Sequence, residues 1–206
     1  GTRPVDMHIK ALEELGAEIT LDEGYINAKA PAGGLQGGKI LFPKVSVGAT
    51  ENLMMAAVWA RGQTTIDNAA KEPEIKDLGE CLIKMGAKIE GLGTDTIRIE
   101  GVKSLNGAHH SIIPDRIETG TYVIAAGMTG GIVKLQNARI NDISSVLGYL
   151  SQAGIEVEQL GDDIIVRREI ERLQGVDIMT EPYPGFPTDL QAQFMAMMCL
   201  ADGVSI

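Results

Sequence analysis

Residues 44–50 of the sequence (KVSVGAT) place a lysine, a serine and a glycine directly before an apolar helical pattern. At the start of a helix the backbone N–H groups are unpaired and lie at the positive end of the helix dipole, so they attract anions. The side chains of Lys44 and Ser46 would add two further donors at the same place. Without other context, however, the pattern fits an ordinary serine cap of the helix better than an anion site.

Several carboxylates also lie next to predicted helix starts. Asp189 follows the turn-forming residues 184–188 (PGFPT) and precedes a helix predicted over residues 190–200. Glu72, Asp115 and Asp6 have comparable positions earlier in the chain. A helix cap is the simplest interpretation of each of these residues.

The composition excludes several classes of function. The formal net charge is −10 and the basic residues form no long stripe, so nucleic acid is not an expected partner. No apolar run approaches the roughly 20 residues of a membrane-spanning helix, and the N-terminus has no secretory signal pattern. We therefore expect a cytoplasmic protein that does not bind membranes.

Cysteine and histidine usage gives no sign of a metal centre or a disulfide framework. Cys81 and Cys199 lie within apolar helical patterns and are expected to be buried free thiols. His8, His109 and His110 lack the spacing of metal ligands, so no metal is expected.

An internal repeat positions the motifs. The interval from Ala56-Ala57 to Ala125-Ala126 equals the interval from Asn68-Ala69 to Asn137-Ala138. Each copy reads as strand, apolar helix, strand, second helix ending before a glycine, and two short strands, which predicts a βαβαββ unit. A third copy begins at residue 184, and the tail of an earlier copy forms the start of the chain.

The repeat predicts the following elements. Helices are expected over residues 7–15, 78–85, 143–153 and 190–200, and strands over residues 18–21, 25–28, 39–42, 88–90, 96–100, 156–159 and 164–167.

The repeated βαβαββ units, together with the motifs, resemble the UDP-N-acetylglucosamine enolpyruvyl transferases. The resemblance rests on RPVD at residues 3–6, KVSVG at 44–48, NAAKEPEI at 68–75, PDRIETG at 114–120, and PGFPTD at 184–189 followed by QAQ at 191–193. It implies an α+β fold arranged as an inside-out α/β barrel, with helices inside and sheets outside, in two partial domains. Residues 1–112 would be the C-terminal part of the catalytic-loop domain, on the nucleotide-sugar side, and residues 113–206 part of the second domain.

The resemblance also implies an activity. Such enzymes transfer the enolpyruvyl group of phosphoenolpyruvate to the 3-hydroxyl of UDP-N-acetylglucosamine, without a cofactor. This reaction is the first committed step of peptidoglycan synthesis, so it links the chain to cell-wall biogenesis, cell shape, the cell cycle, cell division and fosfomycin.

Roles for individual residues follow from the same resemblance. Asp189 would be the general base, and Glu72, Asp115 and Arg116 would line the cleft near the reacting phosphate. The expected substrate-binding residues are Arg3, Pro4, Val5, Asp6, Lys44, Ser46, Val47, Gly48, Thr188 and Asp189.

In that family the catalytic cysteine precedes the RPVD segment, and the present sequence begins after that point. We therefore expect this chain to be a piece of a longer enzyme and to be inactive alone. Two alternatives remain open at this stage. One is the shikimate-pathway enolpyruvyl transferase, which needs no nucleotide, and the other is a non-catalytic repeat module that binds a nucleotide sugar.

Overall fold

A computed structural model describes residues 4–168 and 170–206 of the chain. The chain divides into two compact units, Gly1–Ile112 and Ile113–Ile206. Each unit has its own hydrophobic core.

The first unit contains three helices and six strands among its described residues. In chain order these are α1 (Asp6–Glu14), β1 (Glu18–Asp22), β2 (Tyr25–Lys29), β3 (Lys39–Leu41), α2 (Val47–Ala57), β4 (Gln63–Asp67), α3 (Pro73–Lys84), β5 (Lys88–Glu90) and β6 (Thr96–Glu100). Strands β1 and β2 form an antiparallel hairpin. The other four form a sheet in the order β3-β4-β6-β5, in which β3 is parallel to β4 and the remaining pairs are antiparallel.

Alternating burial explains how this sheet meets its helices. In β6 the side chains of Ile97 and Ile99 are buried whereas Arg98 and Glu100 are exposed, as expected for a strand with one face on the core. Helix α2 buries Leu53 and Met54 in the same cluster. The helices therefore cover one face of the sheet, and the residues before α2 and α3 remain at the ends of packed helices.

The second unit contains three helices and five strands among its described residues. These are α4 (Arg116–Thr129), β7 (Ile132–Leu135), α5 (Ser144–Gln152), β8 (Ile155–Leu160), β9 (Asp163–Arg168), β10 (Leu173–Gln174), α6 (Gln191–Met198) and β11 (Ala201–Asp202). Strands β7, β9 and β8 form an antiparallel sheet in that order, and β10 pairs with β11 in parallel. Short 3₁₀ turns at Ile140–Ile143 and Thr188–Leu190 precede α5 and α6.

The α+β class is confirmed, and β3 to β6 of the first unit reproduce the predicted βαβαββ order. The second copy departs from it, because the described residues before α4 contain no opening strand. The N–H groups of Val102 and Asn106 donate instead to the carbonyls of Val58 and Met85 in the first unit. Residues 101–106, which belong to the first unit, thus form hydrogen bonds within that unit rather than pairing with β7.

Two further predictions need correction. Helix α3 begins at Pro73 rather than at residue 78, since proline suits the first position of a helix and Glu72 lies just before it. Both cysteines are free, but Cys199 is exposed and Cys81 is only half-buried. Cys199 follows α6 about 140° around the helix axis from the buried Phe194, so its side chain points away from the core.

None of the helices in the described part of the chain has both the length and the apolar character needed to span a bilayer. The described residues likewise contain no group of three or more His, Cys, Asp or Glu side chains that could hold a metal ion.

Candidate functional site

The start of α2 is arranged as the sequence predicts for a capped helix. The Ser46 hydroxyl oxygen accepts a hydrogen bond from the Ala49 N–H at 3.3 Å. The Thr50 hydroxyl donates to the Ser46 carbonyl at 2.8 Å and accepts from the Ala70 N–H at 3.1 Å, which ties this turn to the segment before α3. The Ser46 hydroxyl retains its own proton for donation to a ligand.

This helix start also has the features of an anion site. The N–H groups of Val47 and Gly48 belong to the first turn, where a helix supplies no acceptors for them. Gly48 and Lys44 are exposed. A ligand with negative charge could therefore reach backbone donors, a hydroxyl and an ammonium group together.

A histidine that sequence reasoning did not select lies beside this turn. His8 Nδ1 is 3.0 Å from Asn52 Nδ2, and a Cβ added at Gly48 would lie 3.5 Å from His8 Cε1. Because the Asn52 amide nitrogen can only donate, His8 Nδ1 accepts and its proton is carried on Nε2. The Nε2–H group is then a further donor near Gly48. The His8–Asn52 pairing is a tertiary contact, and no spacing rule in the sequence indicates it.

The same contact brings the first predicted segment toward the second. His8 lies in the first turn of α1, which begins at Asp6 after the helix-flanking residues Pro4 and Val5. Asp6 is the first residue of α1 and not its cap; the cap position is occupied by Val5, whose side chain has no hydrogen-bonding group. Arg3 lies outside the described residues.

Glu72 precedes α3 but does not cap it with its side chain. The residue is 6% exposed, and its buried Oε2 atom has no hydrogen-bond partner. Partial burial raises the pKa of the Glu51 carboxyl on α2, and the negative charges of Glu74 and Glu72 raise it further. The start of α3 and the second turn of α2 thus enclose an acidic cluster, which we define as Glu51, Glu72 and Glu74.

The second unit places its predicted residues around the start of α4. Asp115 is a true cap: its Oδ1 accepts from the N–H groups of Ile117 at 2.8 Å and Glu118 at 3.1 Å. The guanidinium carbon of Arg116 lies 5.7 Å from the centre of the Tyr183 ring, within cation–π range. The planar guanidinium is therefore held near the loop that leads to α6.

Asp189 lies in the 3₁₀ turn before α6 and is exposed. Neither this turn nor α6 has a side-chain cap bond, so the capping interpretation of Asp189 is wrong. The neighbouring Leu190 packs on α4, where a Cβ added at Gly120 would lie 2.6 Å from Leu190 Cδ1. Thr188 and Asp189 are thereby fixed close to the first turns of α4.

A polar contact between the helices supports this position. Gln193 Nε2 on α6 donates to Thr121 Oγ1 on α4 at 2.9 Å. The second unit therefore presents a carboxylate that makes no local cap, an arginine and a threonine near one helix start. The carboxylate of Asp189 can accept a proton from a bound hydroxyl.

The chain has the fold of solved enolpyruvyl transferase structures. The chain matches the enolpyruvyl transferase NikO from Streptomyces tendae with a TM-score of 0.82, covering 98% of this chain and 50% of that one at 19% identity. It matches the EPSP synthase from Acinetobacter baumannii with a TM-score of 0.63, covering 86% of this chain and 42% of that one at 23% identity. The fold is therefore that of the enolpyruvyl transferase class.

The chain belongs to the family described as EPSP synthase (3-phosphoshikimate 1-carboxyvinyltransferase), whose model matches residues 1–206. Over its full length it is 61% identical to a UDP-N-acetylglucosamine 1-carboxyvinyltransferase of Rhodospirillum centenum and 59% identical to one of Granulibacter bethesdensis. The chain spans 48% and 49% of the lengths of these two relatives.

Proposed function

We propose that this chain forms part of an enzyme that transfers the enolpyruvyl group of phosphoenolpyruvate to the 3-hydroxyl of UDP-N-acetylglucosamine. The observation that carries the proposal is the 61% identity, over all 206 residues, to a relative that bears the name of this activity. The geometry supports it in two places. The first unit has a helix start suited to a diphosphate, and the second unit has an exposed carboxylate, Asp189, that does not cap a helix.

In this proposal the first unit binds the nucleotide sugar. Lys44, Ser46, Val47 and Gly48 hold the diphosphate at the start of α2, where the helix dipole and backbone donors favour negative charge. The segment of Arg3, Pro4, Val5 and Asp6 holds the uracil ring, since an arginine plane suits stacking and also attracts pyrophosphate. His8 adds a donor beside Gly48.

The second unit supplies the general base. Asp189 accepts the proton of the sugar 3-hydroxyl as that oxygen attacks C2 of phosphoenolpyruvate, and Thr188 helps to orient the sugar. Arg116, Asp115 and Glu72 line the cleft near the phosphate. Loss of phosphate from the resulting tetrahedral adduct then restores the enol ether and completes the transfer.

The architecture of the whole enzyme is part of the same proposal. Residues 1–112 form the C-terminal part of the catalytic-loop domain and residues 113–206 part of the second domain, each an inside-out barrel with helices inside. The enzyme acts in the cytoplasm, in peptidoglycan and cell-wall synthesis that supports cell shape, the cell cycle and division, and fosfomycin targets its cysteine loop.

The chain alone is expected to lack turnover, because Cys199 lies away from Asp189 and Cys81 is not activated as a proton donor. Cys199 follows α6 and Asp189 precedes it, so the eight residues of the helix separate them by about 12 Å. Cys81 lies in α3 and is half-buried, and no hydrogen bond to a base activates its thiol among the described residues.

A chimera tests the proposal directly. The 206 matching residues of the Rhodospirillum centenum relative are replaced by this chain, and phosphate release from phosphoenolpyruvate is measured with either UDP-N-acetylglucosamine or shikimate 3-phosphate as acceptor. We expect release with the nucleotide sugar only. Release with shikimate 3-phosphate would favour the shikimate-pathway alternative suggested by the family description.

Binding by the isolated chain is a second, independent readout. We expect UDP-N-acetylglucosamine to shift the backbone amide resonances of Val47 and Gly48, and Ser46→Ala to weaken this response. Binding by the isolated chain without turnover by a folded chimera would support the non-catalytic module instead.

A further inference from the structure

Asp77 and Lys84 on α3 form a continuous hydrogen-bonded chain with His110, which lies in the segment before α4. His110 Nε2 is 2.9 Å from Asp77 Oδ1, and Lys84 Nζ is 3.0 Å from His110 Nδ1. Asp77 and Lys84 are seven residues apart on the helix and so lie on the same face, two turns from each other. The imidazole of His110 bridges them.

The partners determine where the imidazole carries its proton. The Lys84 ammonium group has only donors, so His110 Nδ1 must accept from it. The Nε2 atom then carries the hydrogen and donates it to the Asp77 carboxylate. His110 is therefore a neutral imidazole whose basic nitrogen faces the lysine.

Burial separates the roles of the three groups. The side chains of His110 and Asp77 are 8% and 12% exposed, whereas Lys84 is exposed to solvent. The backbone that carries His110 is held close by, because the Asn106 N–H donates to the Met85 carbonyl at 2.8 Å. A fixed, oriented base thus contacts an amine that reagents in solution can reach.

This order of groups is the one that activates a nucleophile: a nucleophilic atom, a base within hydrogen-bond reach, and a third group that orients the base. We propose that Lys84 is a site of acyl transfer from activated acyl donors, with His110 as general base and Asp77 as its orienting partner. The shared chemistry of the donors is an acyl carbon with a good leaving group, such as an acyl phosphate or a thioester.

The step is balanced as follows. Lys84 first releases one ammonium proton to water, and the resulting neutral amine still donates an N–H to His110 Nδ1. This amine attacks the acyl carbon, and the Nζ–C bond forms while the carbonyl π bond opens. The nitrogen becomes acidic as this bond forms, and His110 Nδ1 takes its proton, giving an imidazolium that Asp77 stabilises. The carbonyl re-forms and expels phosphate or thiolate, which leaves an amide at Lys84, and His110 returns its proton to water.

Competitive acetylation of the 206-residue chain tests this inference. The chain is exposed to acetyl phosphate or to a small acetyl thioester, and the acetylation rates of Lys84 and Lys76 are followed by peptide mass spectrometry. Lys76 is a matched internal reference, because it lies on the same helix and is 61% exposed but pairs with Glu80 rather than with a histidine. We expect Lys84 to react on the order of tenfold faster than Lys76 in the folded chain.

Two variants separate the base from the orienting group. His110→Gln keeps a hydrogen-bonding side chain but removes the base, so the rate ratio should fall to about one. Asp77→Asn keeps an acceptor but removes the charge that stabilises the imidazolium, so an intermediate ratio is expected. Comparison of acetyl phosphate with the acetyl thioester shows which of the two reagents acetylates Lys84 at a rate that depends on His110.

The same ratio measured in the urea-unfolded wild-type chain makes the test independent of how well the variants fold. An equal ratio in the folded and unfolded chain would overturn the proposal, as would an unchanged ratio in folded His110→Gln. Loss of the preference on unfolding, together with its loss in His110→Gln, would support it.

Discussion

At the scale of single residues, Ser46 and Asp189 occupy similar sequence positions but have different local roles. Both come just before a helix and after turn-forming residues. Ser46 caps α2 through its hydroxyl oxygen, whereas Asp189 makes no cap bond to the turn or helix that follows it. An exposed carboxylate that does not serve the local backbone is available for a ligand, as the proposed role of Asp189 as general base requires.

Substitutions at Ser46 separate its structural role from ligand binding. Ser46→Ala removes the cap and should lower the free energy of unfolding of the first unit by about 1 kcal/mol, whereas Ser46→Gly should cost only a few tenths. Urea denaturation measures both values. Since both variants lack the hydroxyl, both should weaken UDP-N-acetylglucosamine binding; normal binding by the glycine variant would show that the hydroxyl does not contact the ligand.

Substitution of Asp189 tests the proposed general base. In the chimera, Asp189→Asn keeps the shape of the side chain but cannot accept a proton, so kcat for phosphate release should fall by about 10²–10⁴-fold with a small change in KM. Asp162→Asn, in the exposed turn between β8 and β9, is the control and should leave kcat unchanged. A rise in KM with a normal kcat would assign Asp189 to substrate binding only.

At the scale of elements, the contact between α2 and α3 concentrates negative charge. The acidic cluster of Glu51, Glu72 and Glu74 brings together residues from two helices, and burial with like charge keeps the pKa of Glu51 above its ordinary value of 4.5. Between pH 4.5 and the higher pKa of the folded state, the Glu51 carboxyl is therefore more protonated in the folded chain than in the unfolded chain. Stability must fall as the pH rises from about 4.5 through the higher folded pKa, because the unfolded state then binds fewer protons.

Glu51→Gln should remove part of this pH dependence. We expect the variant to gain stability relative to the wild type at neutral pH and to show a smaller difference near pH 4.5, where the raised pKa leaves more of the carboxyl protonated in the folded than in the unfolded chain. Chemical denaturation at both pH values measures the effect, with Glu14→Gln on the exposed side of α1 as control. An equal change at both pH values would show that the cluster does not perturb Glu51.

At the scale of the whole molecule, the two units have separate cores. In the second unit Phe194 is fully buried and meets Phe186 edge-to-face at 5.4 Å between ring centres, with Tyr149 at 6.5 Å. Such aromatic packing contributes beyond the burial of area alone. Loss of one ring should therefore be felt mainly within that unit.

Phe194→Ala should destabilise the second unit by about 3–5 kcal/mol, because it removes a buried ring and leaves a cavity. Hydrogen exchange should show faster exchange throughout β7, β8 and β9, while protection of β4 and β6 changes much less. Met195→Ala is the control, since Met195 is 63% exposed and the substitution should change stability by less than about 0.5 kcal/mol. Equal loss of protection in both units would show that the chain unfolds as one cooperative body.

The sequence by itself determined the repeat, most of the helices and strands, and the segments that match the family. Strands β5 and β6 have the predicted bounds because alternating side chains and flanking glycines act locally. The start of α2 was equally predictable, since a serine cap and its helix are neighbours in the chain. The identity of the family followed from motifs of this kind.

Only the tertiary structure decided which of these residues meet and which are buried. Three features depend on residues far apart in sequence. They are the pairing of His8 with Asn52, the bridge from His110 to Asp77 and Lys84, and the raised pKa of Glu51. The lack of a strand before α4 among the described residues has the same origin. Such features depend on how separate elements pack together, and local pattern carries no information about that packing.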